Sequence, residues 1–364
     1  MTYRPLFITG AVNTLLTESA VPATLTVEQC AVALAMSMTS FRRKLSQEET
    51  TFKLIQQKYL NELCVHDLLT KHVSIDSLVV KLGYSERATF ERAFRNKFGI
   101  TPSQFRELSL VGDDNNNLSS IAQNMPPLHD SCQQLIRKKD QDSFDLQCVI
   151  DIVVKDPIFT GRLMGLASRA IYGKTPNTIQ EAISRNIGIN TVVSLAVLYS
   201  VKDALAEQVD QAVISQSTHA FLMAPKFFHL MRKSAGIEVK FDIALIEQVL
   251  VFALLGILLL CHKSAPKHQL MLHSMRGIDD LDILNHYIHK SMDMSIFSAS
   301  TLMLSLWHID VSVIKQLNHL DKVSKREVKG NKQDELVLFM LSCLYALVTA
   351  SKDHSELEQK AELL

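Results

Sequence analysis

Apolar residues recur along most of the chain at the three- and four-residue steps of an α-helix. Between Pro22 and Pro102 there is no proline and there are only two glycines, so this stretch can be almost entirely helical. The later prolines fall where helices could begin or connect, and no segment alternates in the manner of a β-strand. The pattern therefore predicts an all-α protein.

An apolar stripe at steps i, i+3, i+4 and i+7 occurs twice near the start, 48 residues apart. Its members are Val27, Cys30, Ala31 and Leu34 in the first copy, and Ile75, Leu78, Val79 and Leu82 in the second. Each stripe predicts a short amphipathic helix. Thr26 and Ser74 stand where a residue would cap that helix.

A tight turn and a second helix are predicted after each stripe. The turns are Ala35-Met36 and Gly83-Tyr84, the caps of the second helices are Ser37 and Ser85, and their apolar pairs are Phe41 with Leu45 and Phe90 with Phe94. Two short helices joined by a tight turn, the second with a basic outer face, form a helix-turn-helix unit. The sequence thus predicts two such units in tandem.

Several polar side chains lie opposite or beside the apolar pairs when successive residues are placed 100° apart. They are Thr39, Arg42 and Arg43 in the first unit, and Arg87, Thr89, Arg92 and Arg95 in the second. Arginine donates two hydrogen bonds to guanine O6 and N7 and also pairs well with phosphate. These residues are therefore the candidate contacts to double-stranded DNA.

The segment between the two units can form one long helix. From Thr51 to Thr70 it carries apolar residues at helical spacing, and twenty residues at about 1.5 Å each span about 30 Å. Successive major-groove faces of DNA lie about 34 Å apart. A rod of this length could place two recognition helices in adjacent segments of the major groove.

Residues 26–107 resemble the tandem helix-turn-helix DNA-binding domain of the AraC family of transcription regulators. The matching motif residues are Gly83, Tyr84, Ser85, Phe90, Phe94, Phe98, Gly99, Thr101, Pro102, Phe105 and Arg106. The resemblance implies base contacts from Thr39, Arg42, Arg43, Arg87, Thr89 and Arg92, and a phosphate contact from Arg95. The chain departs from the family at Ala35 and Glu49, where glycine is usual, and this domain is usually C-terminal in the family.

Charge and composition divide the chain into a head and a body. The turn-forming run SLVGDDNNNL indicates a linker, so the predicted parts are a head at 1–108, a linker at 109–117 and a body at 118–364. Residues 1–110 hold 13 basic and 10 acidic side chains, and the remainder holds 25 and 28. The six cysteines include no CxxC pair, which favours reduced thiols in the cytoplasm.

The longest apolar run is Val249–Cys261, 13 residues, whereas a membrane span needs about 20. A buried helix is therefore the preferred interpretation and a membrane span the alternative. The chain begins without the basic-then-apolar order of a signal peptide, and a cytoplasmic protein without a membrane partner is expected.

Residues 118–320 resemble the HDOD domain, an all-helical signalling relative of the HD phosphohydrolases. The matching residues are Pro126, Pro127, Leu128, Asp156, Pro157, Leu163, Ala167, Ala170, Tyr172, Gly173, Ile179, Ala182, Ile183, Gly188, Trp307, Asn318 and His319. At the His-Asp doublet that binds metal in HD enzymes, this chain has Ala253 and Leu254. The resemblance therefore implies a body with no catalytic residue, metal or cofactor.

Three functions remain open from the sequence. The preferred one is a transcription regulator whose body senses a signal, binds a partner protein or pairs protomers. The second is a divergent metal-dependent phosphohydrolase that uses Asp282, His286 and His289. The third is a signalling scaffold without DNA binding. The doublets His66-Asp67 and His129-Asp130 are expected to be surface pairs.

Overall fold

The computed structural model of the chain consists of two compact units, Met1–Leu110 and Val111–Leu364. It describes residues 7–48, 50–69, 73–110, 112–113, 116–117, 121, 127–139, 143–169, 174–234, 242–307 and 309–350. The predicted all-α class is confirmed. Within the predicted linker, Gly112–Asp113 and Asn116–Asn117 form a two-residue antiparallel pair, with Gly112 opposite Asn117.

The first unit is built from short helices around one long one. Its helices are α1 (Ile8–Glu18), α2 (Val27–Ala33), α3 (Met38–Gln47), α4 (Phe52–Leu69), α5 (Ile75–Lys81), α6 (Arg87–Phe98) and α7 (Pro102–Ser109), with a 3-10 turn at Pro22–Thr24. The predicted long helix is confirmed as α4, whose 18 residues span about 27 Å at 1.5 Å each.

Two separate groups of buried side chains pack along α4. The first consists of Ile8, Val12, Leu16, Cys30, Ala31, Phe41, Leu45 and Ile55. Helix α1 supplies three of these, at four-residue steps that are visible in the sequence. This first group joins α1, α2 and α3 to the N-terminal half of α4.

The second group is aromatic and joins α5, α6 and α7 to the C-terminal half of α4. Phe94 stacks on Phe98 with ring centroids 4.3 Å apart and meets Phe105 edge-on at 5.8 Å. Phe90 packs edge-on against Tyr84 at 5.4 Å. Because Phe90, Phe94 and Phe98 are all buried, the predicted inner face of α6 is confirmed.

The two tight turns have the same hydrogen-bonding pattern. After α2, Ala35 N–H donates to Val32 and Met36 N–H to Ala31, both at 2.9 Å. After α5, Gly83 and Tyr84 donate to the equivalent carbonyl groups at 3.0 and 2.9 Å. Both are Schellman turns, which require a left-handed residue. Gly83 adopts φ 72° at no steric cost, whereas Ala35 is held at φ 51°.

Three of the four predicted helix caps are confirmed. Thr26, Ser37 and Ser74 each accept a hydrogen bond from a backbone N–H three residues later. The prediction for Ser85 is wrong, because α6 begins one residue later with Glu86 at its cap position and no side-chain cap. The second turn contains one additional residue, which is why the first helices repeat after 48 residues and the second helices after 49.

The second unit is a larger helical bundle. Its helices are α8 (Asp130–Lys138), α9 (Leu146–Val153), α10 (Pro157–Ala167), α11 (Ile179–Glu181, continued by a π-helical turn at Ala182–Ile187), α12 (Ile189–Leu205), α13 (Gln211–Ser234), α14 (Ile243–Phe252), α15 (Gly256–Leu260), α16 (His268–Gly277), α17 (Leu281–Met292), α18 (Ile296–Leu306), α19 (Val311–Ser324) and α20 (Lys332–Ala350).

The apolar run predicted to be a buried helix forms α14 and α15, separated by a short break. The segment Ile243–Leu260 is long and apolar enough to cross a membrane, but 78% of it is buried inside the unit. The bent pair Ile179–Ile187 and Ile189–Leu205 also passes that test when taken as one span. Burial of Ile243–Leu260 accounts for its apolar composition without a membrane.

Helix α15 lies against α18 at a very short distance. A Cβ atom added at Gly256 would overlap the carbonyl oxygen of Ile296 and lie 2.6 Å from the backbone nitrogen of Ser300. The Ser300 hydroxyl accepts a 2.7 Å hydrogen bond from Gly256 N–H and reaches the carbonyl of Ala253, also at 2.7 Å. Glycine therefore permits the contact, and one hydroxyl satisfies backbone groups at the break.

Replacing Ala35 with glycine is expected to stabilise the first unit by about 0.5–1 kcal/mol. The left-handed strain that glycine relieves is larger than the additional backbone entropy that it loses on folding. Gly83→Ala is expected to destabilise it, since the new Cβ would lie 2.8 Å from the Cβ of Ala23. Hydrogen exchange of the Phe41 and Leu45 amides measures both effects. Equal protection in all three proteins would contradict this account of the turns.

Gly256→Ala is expected to destabilise the second unit by about 1–3 kcal/mol or more through overpacking. The single tryptophan, Trp307, lies in this unit, so its fluorescence during denaturant unfolding reports the loss. Gly161→Ala is the matched control, because nothing lies within 4 Å of an added Cβ there. It should leave stability unchanged or raise it by up to about 1 kcal/mol. Similar midpoints for both variants would refute the close contact.

Candidate nucleic-acid interface

Helix α3 presents a basic surface to solvent. Phe41 and Leu45 are buried beneath it, so the residues between them face outward. The exposed side chains include Thr39, Arg42, Arg43 and Lys44, and the helix has no acidic residue. This face can donate hydrogen bonds to base edges or to phosphates.

Helix α6 presents a similar surface in the second half of the unit. Its buried phenylalanines fix the rotation of the helix, and the candidate residues Arg87, Thr89, Arg92 and Arg95 are all exposed. The seven candidate residues thus lie on the outer faces of α3 and α6, three on α3 and four on α6. Asn96 of α6 is also exposed.

Arg87 differs from the other candidates because it is already paired. Its Nε donates to Glu91 at 2.8 Å, and a terminal nitrogen lies 3.3 Å from Asp76. The hydrogen bond to Glu91, followed by the two nearby carboxylates, raises the pKa of the guanidinium, which is charged in any case. Arg87 would have to leave these partners in order to contact a base.

Glu48 attaches the end of α3 to the beginning of α1. Its carboxylate accepts hydrogen bonds from the backbone N–H groups of Ile8 at 2.6 Å and Thr9 at 3.0 Å, and from the Thr9 hydroxyl at 2.6 Å. Burial opposes ionisation of Glu48, but these hydrogen bonds outweigh it and lower the pKa of the carboxyl. The contact satisfies helix N-terminal donors and holds α3 in place.

Two polar side chains, Asp67 and Arg106, join helices of the second half of the unit to the end of α4 and the segment after it. Asp67, at the end of α4, forms a 2.7 Å ion pair with Lys81 of α5. Arg106, the last residue of the AraC-like motif, donates to the carbonyl groups of Leu68 and Val73. The prediction that His66-Asp67 is a surface pair is therefore wrong for Asp67, which is buried, although His66 is exposed.

The described part of the second unit contains no HD-type metal site. Ala253 and Leu254, at the doublet positions, are fully buried among apolar side chains. No group of three or more histidine, cysteine, aspartate or glutamate side chains within the described ranges could hold a metal ion, and this includes Asp282, His286 and His289. His129 and Asp130 are exposed, and His129 lies 3.8 Å from Asp203.

The body's described motif residues have structural contacts. Asp156 caps α10 by accepting the Phe159 N–H at 2.9 Å and also accepts the Ser131 hydroxyl at 2.7 Å. His319 lies 3.0 Å from the buried Asp334. Pro126, Ala170, Tyr172 and Gly173, Glu49 of the head and the tail at 351–364 lie outside the described residues.

The chain belongs to the HDOD domain family, whose model matches residues 125–322, more than half of the chain. Ahead of it, the model described as a helix-turn-helix domain, of the AraC type, matches residues 30–108. Both predicted resemblances are confirmed.

Three curated relatives carry the names of regulators. The chain is 36% identical over 73 residues to the HTH-type transcriptional regulator VqsM of Pseudomonas aeruginosa, covering 20% of this chain and 22% of the relative. It is 33% identical over 81 residues to the ornithine utilization regulator of the same species, covering 22% and 24%. It is 29% identical over 87 residues to GadX of Escherichia coli O157:H7, covering 24% and 32%. The chain thus spans a third or less of the length of each.

Glu48→Gln is expected to destabilise the first unit by about 1 kcal/mol, because a charged acceptor of helix N-terminal donors is lost. Since the pKa of Glu48 is lowered by folding, its stabilisation is present above the ordinary glutamate pKa of about 4.3 and is lost as pH falls through the lowered value.

The measurement is hydrogen exchange of the Val12 and Leu16 amides in wild type and variant at matched pH. Glu62→Gln is the control, since Glu62 is exposed and its ion pair with Lys58 is long, at 3.9 Å. A difference between wild type and Glu48→Gln that stays constant from neutral pH to well below the ordinary glutamate pKa would contradict the assignment.

Proposed function

We propose that this protein is a cytoplasmic transcription regulator that binds double-stranded DNA through its first unit. Thr39, Arg42 and Arg43 on α3 contact bases in one segment of the major groove. Arg87, Thr89 and Arg92 on α6 contact bases in the next segment, and Arg95 contacts phosphate. The second unit, the HDOD body, senses a signal, binds a partner protein or pairs protomers, and it performs no catalysis.

The observation that carries this proposal is the duplicated helix-turn-helix pair with two exposed basic faces. A single exposed arginine is ordinary surface, but here arginines recur at equivalent positions, Arg43 and Arg92, 49 residues apart. Each lies on a helix whose inner face is fixed by buried phenylalanine, and α4 joins the two halves. The names of the relatives support the same class of function.

The non-catalytic assignment of the body is supported by the residues at the HD doublet. Alanine and leucine have no lone pair to donate to a metal, and both side chains are buried. An HD phosphohydrolase activates water with bound metal, and this body would need a different set of ligands. The scaffold alternative is disfavoured by the retained basic surfaces of α3 and α6.

Binding should be tested with the full chain and a duplex selected from genomic fragments. Fluorescence anisotropy should show an affinity that falls steeply with salt, because lysine and arginine release counterions from phosphate. A salt-independent interaction, or none with any duplex, would overturn the proposal and favour the scaffold.

Arg92→Ala is expected to cost about 1–3 kcal/mol of binding to the selected duplex and less on unrelated DNA. Arg87→Ala should cost less than Arg92→Ala, since Arg87 must first leave Glu91 and Asp76. Arg137→Ala, at an exposed arginine of α8 in the body, is the matched control and should bind as wild type. Equal affinity of Arg92→Ala and the control would show that Arg92 does not read a base.

A further inference from the structure

A cavity of about 340 Å³ lies between α4 and the inner face of α6. Its volume is in the range of small-molecule sites. Its lining from α4 is Lys53, Gln56, Gln57, Leu60, Asn61 and Cys64, and its other lining residues are Leu82, Tyr84, Phe90, Ala93, Phe94, Lys97 and Phe98. The lining therefore combines aromatic and aliphatic surface with two ammonium groups and three amides.

Lys97 is the most unusual of these lining residues. It is half-buried, and none of the described carboxylates forms an ion pair with it. Its Nζ lies 5.9 Å from the centroid of the Phe98 ring, which is a weak substitute for an anion. Burial lowers the pKa of Lys97, so the cost of keeping this ammonium charged is not offset within the described structure.

The neighbouring cysteine does not provide the missing negative charge. Burial, together with nearby Asp67, raises the pKa of the Cys64 thiol to about 12. The thiol is therefore neutral near pH 7, and a poor nucleophile. Lys53 adds a second, exposed ammonium group to the same cavity. The electrostatic field of the cavity consequently favours an anion.

The remaining walls determine what kind of anion fits. Tyr84 and Phe90 meet edge to face with centroids 5.4 Å apart, and Phe94 continues this aromatic wall. Phe90 and Phe94 are almost completely buried, so the half-buried Tyr84 is the aromatic ring that a ligand can reach, and a flat ring gains apolar and aromatic contact against it. The side-chain amide of Gln56 donates hydrogen bonds to the carbonyl groups of Pro22 and Leu25. Gln57 and Asn61 add further polar groups to the lining.

We propose that this cavity binds a small aromatic monocarboxylate, with Lys97 pairing with the carboxylate and the ring lying against Tyr84. The occupant would contact Ala93 and Lys97 of α6, whose outer face carries Arg92. Binding itself does not depend on the proposed DNA-binding function, because the cavity is complete in the free protein.

The test uses 2-naphthoate and the full chain without DNA, in equilibrium dialysis near pH 7. Wild type should bind 2-naphthoate saturably and bind neutral 2-naphthamide at least about tenfold more weakly, as expected for loss of one charge-assisted hydrogen bond. Lys97→Met should weaken 2-naphthoate binding by a similar factor. Ala93→Leu should also weaken it, because the larger side chain fills the cavity.

Lys58→Met is the matched control, since Lys58 lies on α4, is exposed and is outside the cavity lining. It should bind 2-naphthoate as wild type, and thermal unfolding checks that all variants are folded. Absence of binding to wild type, equal binding of 2-naphthamide, or unchanged binding by Lys97→Met would each overturn the proposal. A combined result, in which wild type does not bind 2-naphthoate and Lys97→Met loses affinity for DNA, would also overturn the proposal. It would indicate that Lys97 contacts phosphate.

Discussion

The architecture of the first unit depends on the packing of two separate apolar groups against a single helix. Ile55 joins the first group, and Cys64 and Leu68 lie buried toward the other end of α4. Because one continuous helix carries both groups, the rotation and spacing of α3 and α6 follow from it. Each helix-turn-helix pair is too small to bury a sufficient core by itself. Packing and the presentation of the basic faces therefore have the same cause.

The packing of the second unit depends on a different constraint, the close approach of α15 to α18. Nearly every side chain from Ile246 to Cys261 and from Ile296 to Ser305 is buried, so these segments form the centre of the bundle. The positions that hold a metal-binding doublet in HD enzymes lie in this centre. With alanine and leucine at these positions, both side chains are buried and contribute to packing.

Much of this could be predicted from the sequence because the signals were local and periodic. The repeated stripes, the left-handed turn positions and the inner face of α6 all follow from spacing and turn chemistry. Ser85 failed as a cap because a one-residue insertion in a turn leaves the apolar steps unchanged and moves only the helix start. Asp67 failed as a surface residue because its partner, Lys81, is 14 residues away and on another helix.

The cavity beside α6 could not be predicted for a related reason. Lys97 looks like one more basic residue of α6 in the sequence, and only the packing of α4 shows that it is half-buried without a carboxylate partner among the described residues. Long-range polar contacts such as Glu48 with Thr9 and Arg106 with Val73 are equally invisible to periodicity. Local patterns therefore predict the secondary-structure elements, whereas tertiary contacts determine which polar side chains have a hydrogen-bond or ion-pair partner.

Hydroxyl-radical footprinting of the full chain on its selected duplex tests the central claim most directly. Two basic helices held by one rod should protect two patches centred about 10 base pairs apart. Arg43→Ala should weaken protection in one patch and Arg92→Ala in the other. Two results would contradict the claim that α4 holds two independent reading helices in adjacent major-groove segments. One is a single protected patch, and the other is the loss of both patches in either single variant at saturating protein.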